Sequence, residues 1–213
     1  VYVGGGYGER AKYRADGQLS RRQSKLNLTG GAAWNHRSWI EGLDLTRRFD
    51  DRTYVQTNRD FGLPNSYSLR VGADYDLTDQ QRIGVNARYN WGQSPRSATN
   101  LTNILNPETG NLMETFSTSI ERTRPWTGFN GDAFYRIKLD TSGQEINFDV
   151  SYNRFTRDGR VELNTVGDGG FPNRVNLEPT SADIVSGQID YKKPLSPTLI
   201  FKAGAKASKA ELD

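Results

Sequence analysis

The chain has 213 residues, no cysteine, and 28 basic against 25 acidic residues, which gives a formal net charge of only +3. The lack of cysteine excludes a disulfide scaffold and a thiolate metal site, and the scattered charges argue against a nucleic-acid partner. The hydrophobic share of 34% is low for a thick soluble core, whereas the aromatic share of 11% argues against disorder.

Strict alternation of apolar and polar residues predicts an all-β chain, an antiparallel up-and-down meander of about eight strands. The predicted strands cover residues 10–15, 26–35, 67–77, 82–91, 127–139, 145–153, 185–192 and 199–208. In the third strand, Leu69, Val71 and Tyr75 share one face, and the other face carries Arg70 and Asp74. Each strand therefore has one apolar side and one charged side.

The connections between the predicted strands fall into two classes. Tight turns are centred near residues 22, 79, 142 and 196, whereas the connections at residues 47–65, 92–117 and 157–180 are long. Short turns at one end and long loops at the other are typical of outer-membrane barrels. No run of about 18 apolar residues occurs, so the sequence predicts no transmembrane helix.

Two features favour a lipid-facing barrel over the alternative, a soluble sandwich or small barrel. Aromatic residues lie toward the strand ends, where interfacial girdles are expected: Tyr75, Tyr89, Trp91, Tyr135, Tyr152 and Tyr191. The opposite face carries charges that are expected to face a water-filled lumen: Arg70, Asp74, Arg82, Arg88, Asp132, Arg136, Asp149 and Asp190. Small residues between the rings suit lipid better than a close-packed core, because acyl chains fill gaps by themselves.

Two segments resemble a known family. Residues 66–78 (SYSLRVGADYDLT), followed by 84–89 (GVNARY), resemble the outer-membrane β-barrel family related to TonB-dependent receptors. Residues 188–195 (QIDYKKPL), continuing to 204–206 (GAK), are similar to another hairpin of that family. The resemblance implies a large barrel with an N-terminal plug. Residues 1–213 are then expected to form a single internal barrel section, without the plug and the remaining strands.

The candidate site residues are few. Aromatic residues of the long connections are expected to contact a ligand: Tyr54, Phe61, Phe116 and Phe171. The single histidine, His36, could form a dyad with Asp44 at the barrel rim, but no serine motif supports it, and a rim or girdle histidine is the simpler interpretation. The sequence predicts no catalytic residue, no metal site and no cofactor.

The resemblance implies a function as well as a fold. It predicts nutrient binding and uptake across the bacterial outer membrane by a protein that is not an enzyme. The expected partners are outer-membrane lipid, an unidentified small ligand and a TonB-type energy-coupling protein acting through the plug, with no nucleic acid. Two alternatives stay open, a structural or adhesin-like barrel without transport and a rim-active outer-membrane hydrolase.

Overall fold

The computed structural model describes residues 2–7, 10–168 and 172–213, and thirteen antiparallel strands in it form one curled, half-barrel sheet without helices. The strands are β1 (Tyr2–Tyr7), β2 (Ala11–Gln23), β3 (Leu26–Arg37), β4 (Trp39–Arg48), β5 (Thr53–Gly62), β6 (Asn65–Asp76), β7 (Gln81–Gln93), β8 (Arg96–Leu105), β9 (Leu112–Thr123), β10 (Pro125–Lys138), β11 (Glu145–Gly167), β12 (Arg174–Ser196) and β13 (Leu199–Leu212). None of the described residues forms a helix long and apolar enough to cross a membrane. The predicted all-β antiparallel fold is confirmed.

The sheet has two tiers. In the first tier, β1, β2, β3, β6, β7 and β10 pair in that order, followed by residues 145–157 of β11, residues 180–196 of β12, and β13. In the second tier, β4, β5, β8 and β9 pair in that order, and β9 continues onto residues 160–167 of β11. The second tier therefore extends the strands of the first.

A line of prolines separates the tiers. Pro64, Pro95 and Pro125 stand where successive long strands are interrupted, and proline lacks the N–H that a ladder needs. The backbone still pairs across this line, which we call the proline seam, since Leu63 N donates to Pro95 O at 3.0 Å. The β3–β6 register continues unchanged into the β4–β5 register, so each face of the first tier carries on into the second.

The predicted number of strands was wrong, because the three long connections are not loops. The β4–β5 hairpin, the β8–β9 hairpin and the far halves of β11 and β12 occupy them. Strand β8 (RSATNLTNIL) mixes polar and apolar residues on both faces, so its sequence lacks the alternation that marks a half-buried strand, although its backbone pairs on both sides. The strand predicted at residues 10–15 also runs on to Gln23.

In the part of the chain that the structure describes, no second layer covers the apolar face. Within the described residues, Ala98, Ile104 and Val161 are the buried hydrophobic side chains, and all three lie beyond the proline seam. In the first tier, Val71 is 56% exposed and Val150 is 57% exposed. A soluble sandwich would bury such rows against each other, so the structure does not support that alternative.

Candidate functional site

The charged residues expected on one face occupy adjoining rows of the sheet. Arg70 lies opposite Arg88, and Arg82 lies opposite Arg136, in neighbouring strands of the first tier. Polar side chains bind the charged groups, as when Asn86 donates to Asp132 at 2.8 Å. We call this surface the polar face and the opposite surface the apolar face.

Glycines on the polar face accommodate its large side chains. The Phe134 ring lies where a Cβ at Gly84 would project, and the Arg70 side chain takes the same place over Gly31. The glycines interspersed with charges along these strands therefore leave room for neighbours to lie flat across the sheet. Large side chains of the polar face therefore lie flat over its glycines.

Aromatic rings form rows at both ends of the apolar face in the first tier. Near the proline seam, Tyr67 stacks on Trp91 at 5.3 Å between ring centroids, and Tyr13 stacks on Trp34 at 6.4 Å. Near the short turns, Tyr135 stacks on Phe148 at 6.4 Å. The rows lie where an apolar slab would meet its two headgroup layers.

His36 belongs to the row near the seam. Its imidazole stacks on Tyr13 at 6.0 Å, whereas the Asp44 carboxylate accepts a hydrogen bond from Arg59 at 3.0 Å. The structure gives these two residues different partners and does not form the dyad. His36 therefore takes the place of a girdle residue.

The expected ligand-contact aromatics do not come together. Tyr54 and Phe61 lie on β5, and Phe116 lies on β9, so all three are strand residues. Tyr54 meets Phe49 edge to face at 5.7 Å, and the Arg10 guanidinium lies 4.7 Å from the Phe61 ring. By register, Tyr54 and Phe116 share the face of Thr102 and Phe61 lies on the other. Phe171 lies outside the described residues.

A buried ion pair lies on the polar face just beyond the seam. Asp60 is only 2% exposed, and Arg96 Nε donates to its Oδ1 at 2.7 Å. The Arg96 guanidinium also lies 5.3 Å from the Trp39 ring, and a Cβ at Gly62 would collide with that ring. Hydrogen bonding to Asp60 raises the pKa of Arg96. The charge on Asp60 is thus fully partnered.

A second cluster of charges adjoins it, which we call the arginine cluster: Arg122, Arg124, Arg157 and Glu178. Arg124 Nη2 donates to Glu178 Oε2 at 2.5 Å, and Arg157 Nη2 donates to Thr180 at 3.1 Å. The hydrogen bond from Arg124, with the charges of Arg122 and Arg157, lowers the pKa of Glu178 despite opposing desolvation. Arg124 therefore binds the carboxylate directly, and the charges of two further guanidinium groups act on it from a distance.

A groove lies next to the arginine cluster on the first-tier side of the seam. Its volume is about 430 Å³, and its lining includes Arg88, Asn90, Trp126, Asn130, Asn153 and Phe155. The Trp126 and Phe155 rings stack at 6.4 Å, and Asn130 donates to Asn153 at 2.6 Å. Trp126 is the register partner of Arg157, which makes the groove continuous with the cluster.

The sequence interpretation missed the cluster and the groove. Residues 122–126 (RTRPW) carry arginines at alternating positions next to a proline and a tryptophan. This pattern was the one sequence signal that could have pointed to the cluster and the groove. Within the described ranges, no group of three or more His, Cys, Asp or Glu residues is placed to hold a metal ion.

A single curled antiparallel sheet, with one open apolar face between aromatic rows and one charged face, defines a transmembrane β-barrel protein. Residues 137–213 match the family described as "Outer membrane protein beta-barrel family", and no curated protein matches the chain. This match contains the second of the two segments that carry the resemblance, residues 188–195 and 204–206, and supports it. The chain has the fold of an outer-membrane β-barrel and resides in the bacterial outer membrane.

Two solved structures illustrate what the chain is similar to. P. aeruginosa FpvA, solved with bound heterologous pyoverdines, is 9% identical with a TM-score of 0.53, over 95% of this chain and 36% of that chain. The RagAB peptide importer is 6% identical with a TM-score of 0.46, over 94% of this chain and 31% of that one. The chain thus spans about a third of the length of either structure.

Proposed function

We propose that this chain forms part of the wall of an outer-membrane uptake barrel, with its polar face toward a water-filled lumen and its apolar face toward lipid. One observation carries the proposal: charged rows and open apolar rows occupy opposite faces of one continuous sheet. A membrane-spanning wall without a lumen would have no reason to keep charges such as Arg70 and Asp132 in its middle, because they are costly in hydrocarbon.

The second tier supports a binding role in addition to a pore wall. Its strands carry polar side chains on both faces beyond the level of the aromatic row, where β-hairpins project into water. The groove and the arginine cluster lie at the junction of the tiers, where a solute would pass from these hairpins into the lumen. FpvA, the fold neighbour, was solved with bound pyoverdines, which supports solute binding by this architecture.

The same proposal names the partners. Outer-membrane lipid would contact the apolar face, and a small solute would bind on the polar face. As the family resemblance suggests, a TonB-type protein would couple energy through a plug held elsewhere in the protein. FpvA, a structure of similar fold, was solved with bound pyoverdines, which favours solute binding over the rim hydrolase.

Blocking the lumen tests the proposal. In the gene's own host, Asn130→Cys, on the polar face, would be labelled with a bulky, membrane-impermeant maleimide, and growth would be measured on a panel of single carbon, peptide and iron sources. We expect one nutrient class to require the gene, and labelling to reproduce the deletion defect. Phe129→Cys, the adjacent position on the apolar face, is the matched control and should leave growth unchanged. Growth independent of the gene on every source would instead favour the structural or adhesin-like barrel.

A further inference from the structure

The arginine cluster carries more positive charge than its protein partners neutralise. Arg124 donates both hydrogen bonds that the Glu178 carboxylate accepts, at 3.2 and 2.5 Å, whereas Arg122 and Arg157 make no ion pair with it. A Cβ at Gly159 would meet Glu178, so a glycine there lets the pair lie flat against β11. Two guanidinium charges are left without a carboxylate among these residues.

Two guanidinium N–H groups of the cluster are also unsatisfied. The Nε atoms of Arg122 and Arg157 are buried from solvent, and neither has a hydrogen-bond partner among the described residues. Both side chains are only partly buried, so a ligand would reach their outer Nη nitrogens rather than the enclosed Nε atoms. An oxyanion is the ligand that guanidinium donors fit best, because its oxygens accept parallel N–H bonds.

The adjoining groove indicates what carries the oxyanion. Trp126 and Phe155 present stacked rings, and Asn90, Asn130 and Asn153 present amides that both donate and accept hydrogen bonds. Aromatic rings bind the flat apolar side of a ring, while amides bind hydroxyl groups around its edge. A sugar ring satisfies both requirements.

From these observations we propose that the arginine cluster and the groove form one binding site for an anionic sugar, with its carboxylate or phosphate group on Arg122 and Arg157 and its ring on Trp126. The inference deepens the proposed function, on which it rests, because the site is reached only if the polar face is open to water. It assigns the solute class that the barrel wall would recognise.

Calorimetric titration of the protein in detergent micelles would test the site with three probes: D-glucuronate, D-glucose 6-phosphate and D-glucose. We expect at least one anionic probe to bind roughly tenfold more tightly than glucose. The better anionic probe identifies the group, carboxylate or phosphate. Arg122→Gln and Arg157→Gln should each weaken that binding by roughly tenfold, whereas Arg157→Lys, which keeps the charge, should weaken it less.

Arg160→Gln is the matched control, because Arg160 lies on the opposite face of β11 and pairs with Glu162 at 2.6 Å. It should bind the probes like the wild type, and circular dichroism should show that all variants keep the β fold. Equal binding of glucose, unchanged binding in both glutamine variants, or no binding of either anion would overturn the inference. If Asn130→Cys still reacts with the impermeant maleimide in that case, the anion site fails while the water-facing lumen stands.

Discussion

At the residue scale, the polar face depends on small residues beneath large ones. Gly84 lies under the Phe134 ring, and Gly159 lies under the Glu178 side chain. Gly187, by contrast, has no atom within 4 Å of the position of an added Cβ. The same residue type therefore has opposite roles at different positions of one sheet.

A pair of alanine substitutions separates these roles. Gly84→Ala should lower the free energy of unfolding by about 1–3 kcal/mol, because the Phe134 ring must move off its place. Gly187→Ala should be neutral or stabilise by up to about 1 kcal/mol, since it removes backbone freedom from the unfolded chain. Urea titration in lipid vesicles measures both, and equal losses would show that the Gly84 contact is unimportant.

The buried and exposed ion pairs give a second matched pair. Asp60→Asn leaves Arg96 without its carboxylate, and a loss of about 1–3 kcal/mol of stability is expected, because Asp60 is almost fully buried. Asp44→Asn breaks the pair with Arg59, but both side chains are more than half exposed, so the loss should stay below about 1 kcal/mol. The same titrations check the order, and a larger loss for Asp44→Asn would contradict it.

Glu178 gives a prediction about pH. Its pKa lies below the usual 4.5, chiefly because of the hydrogen bond from Arg124. A lowered carboxylate pKa contributes stability above the unfolded-state pKa, and that contribution is lost as pH falls through the folded-state pKa. The stability difference between wild type and Glu178→Gln should therefore be full at pH 7 and shrink below pH 4.5. A difference that stays constant down to pH 3 would contradict the ion pair.

At the element scale, the two faces of the first tier were predictable, but the second tier was not. The strand at residues 67–77 was predicted from its alternation, because one of its faces is apolar and the other charged. Strand β8 has polar residues on both sides, and the burial of Ala98 and Ile104 on one side arises only after the strand pairs with β5 and β9. Pairing with strands that are distant in sequence leaves no periodic pattern in the residues of the strand itself. For the same reason, the sequence alone could not show that the residues of the arginine cluster come together.

The tryptophans report on the two faces separately. The chain has four tryptophans; Trp34 and Trp91 lie in the aromatic row of the apolar face, whereas Trp39 and Trp126 lie on the polar face near the seam. In single-tryptophan variants, lipids brominated near the headgroup should quench the fluorescence of the first two strongly. Trp39 and Trp126 should instead be quenched by aqueous acrylamide. Similar lipid quenching at all four positions would show that the aromatic row is not at the membrane interface.

At the scale of the whole molecule, the sheet is a wall with two free edges. Within the described residues, β1 pairs only with β2 and β13 pairs only with β12, and every residue of β13 is exposed. Hydrocarbon cannot satisfy the backbone groups of an edge strand, so a membrane-embedded wall needs partner strands on both sides. The curl of the sheet and its continuous register across the seam are compatible with closure into a wide barrel.

The assignment of one face to water and the other to lipid is the claim on which the whole account depends. The chain has no cysteine of its own, so single-cysteine variants along residues 67–76 of β6 can be compared in vesicles with a water-soluble maleimide. The account predicts strong labelling at Ser68, Arg70 and Asp74, and weak labelling at Leu69, Val71 and Ala73. Uniform labelling along the strand, or the opposite alternation, would contradict it.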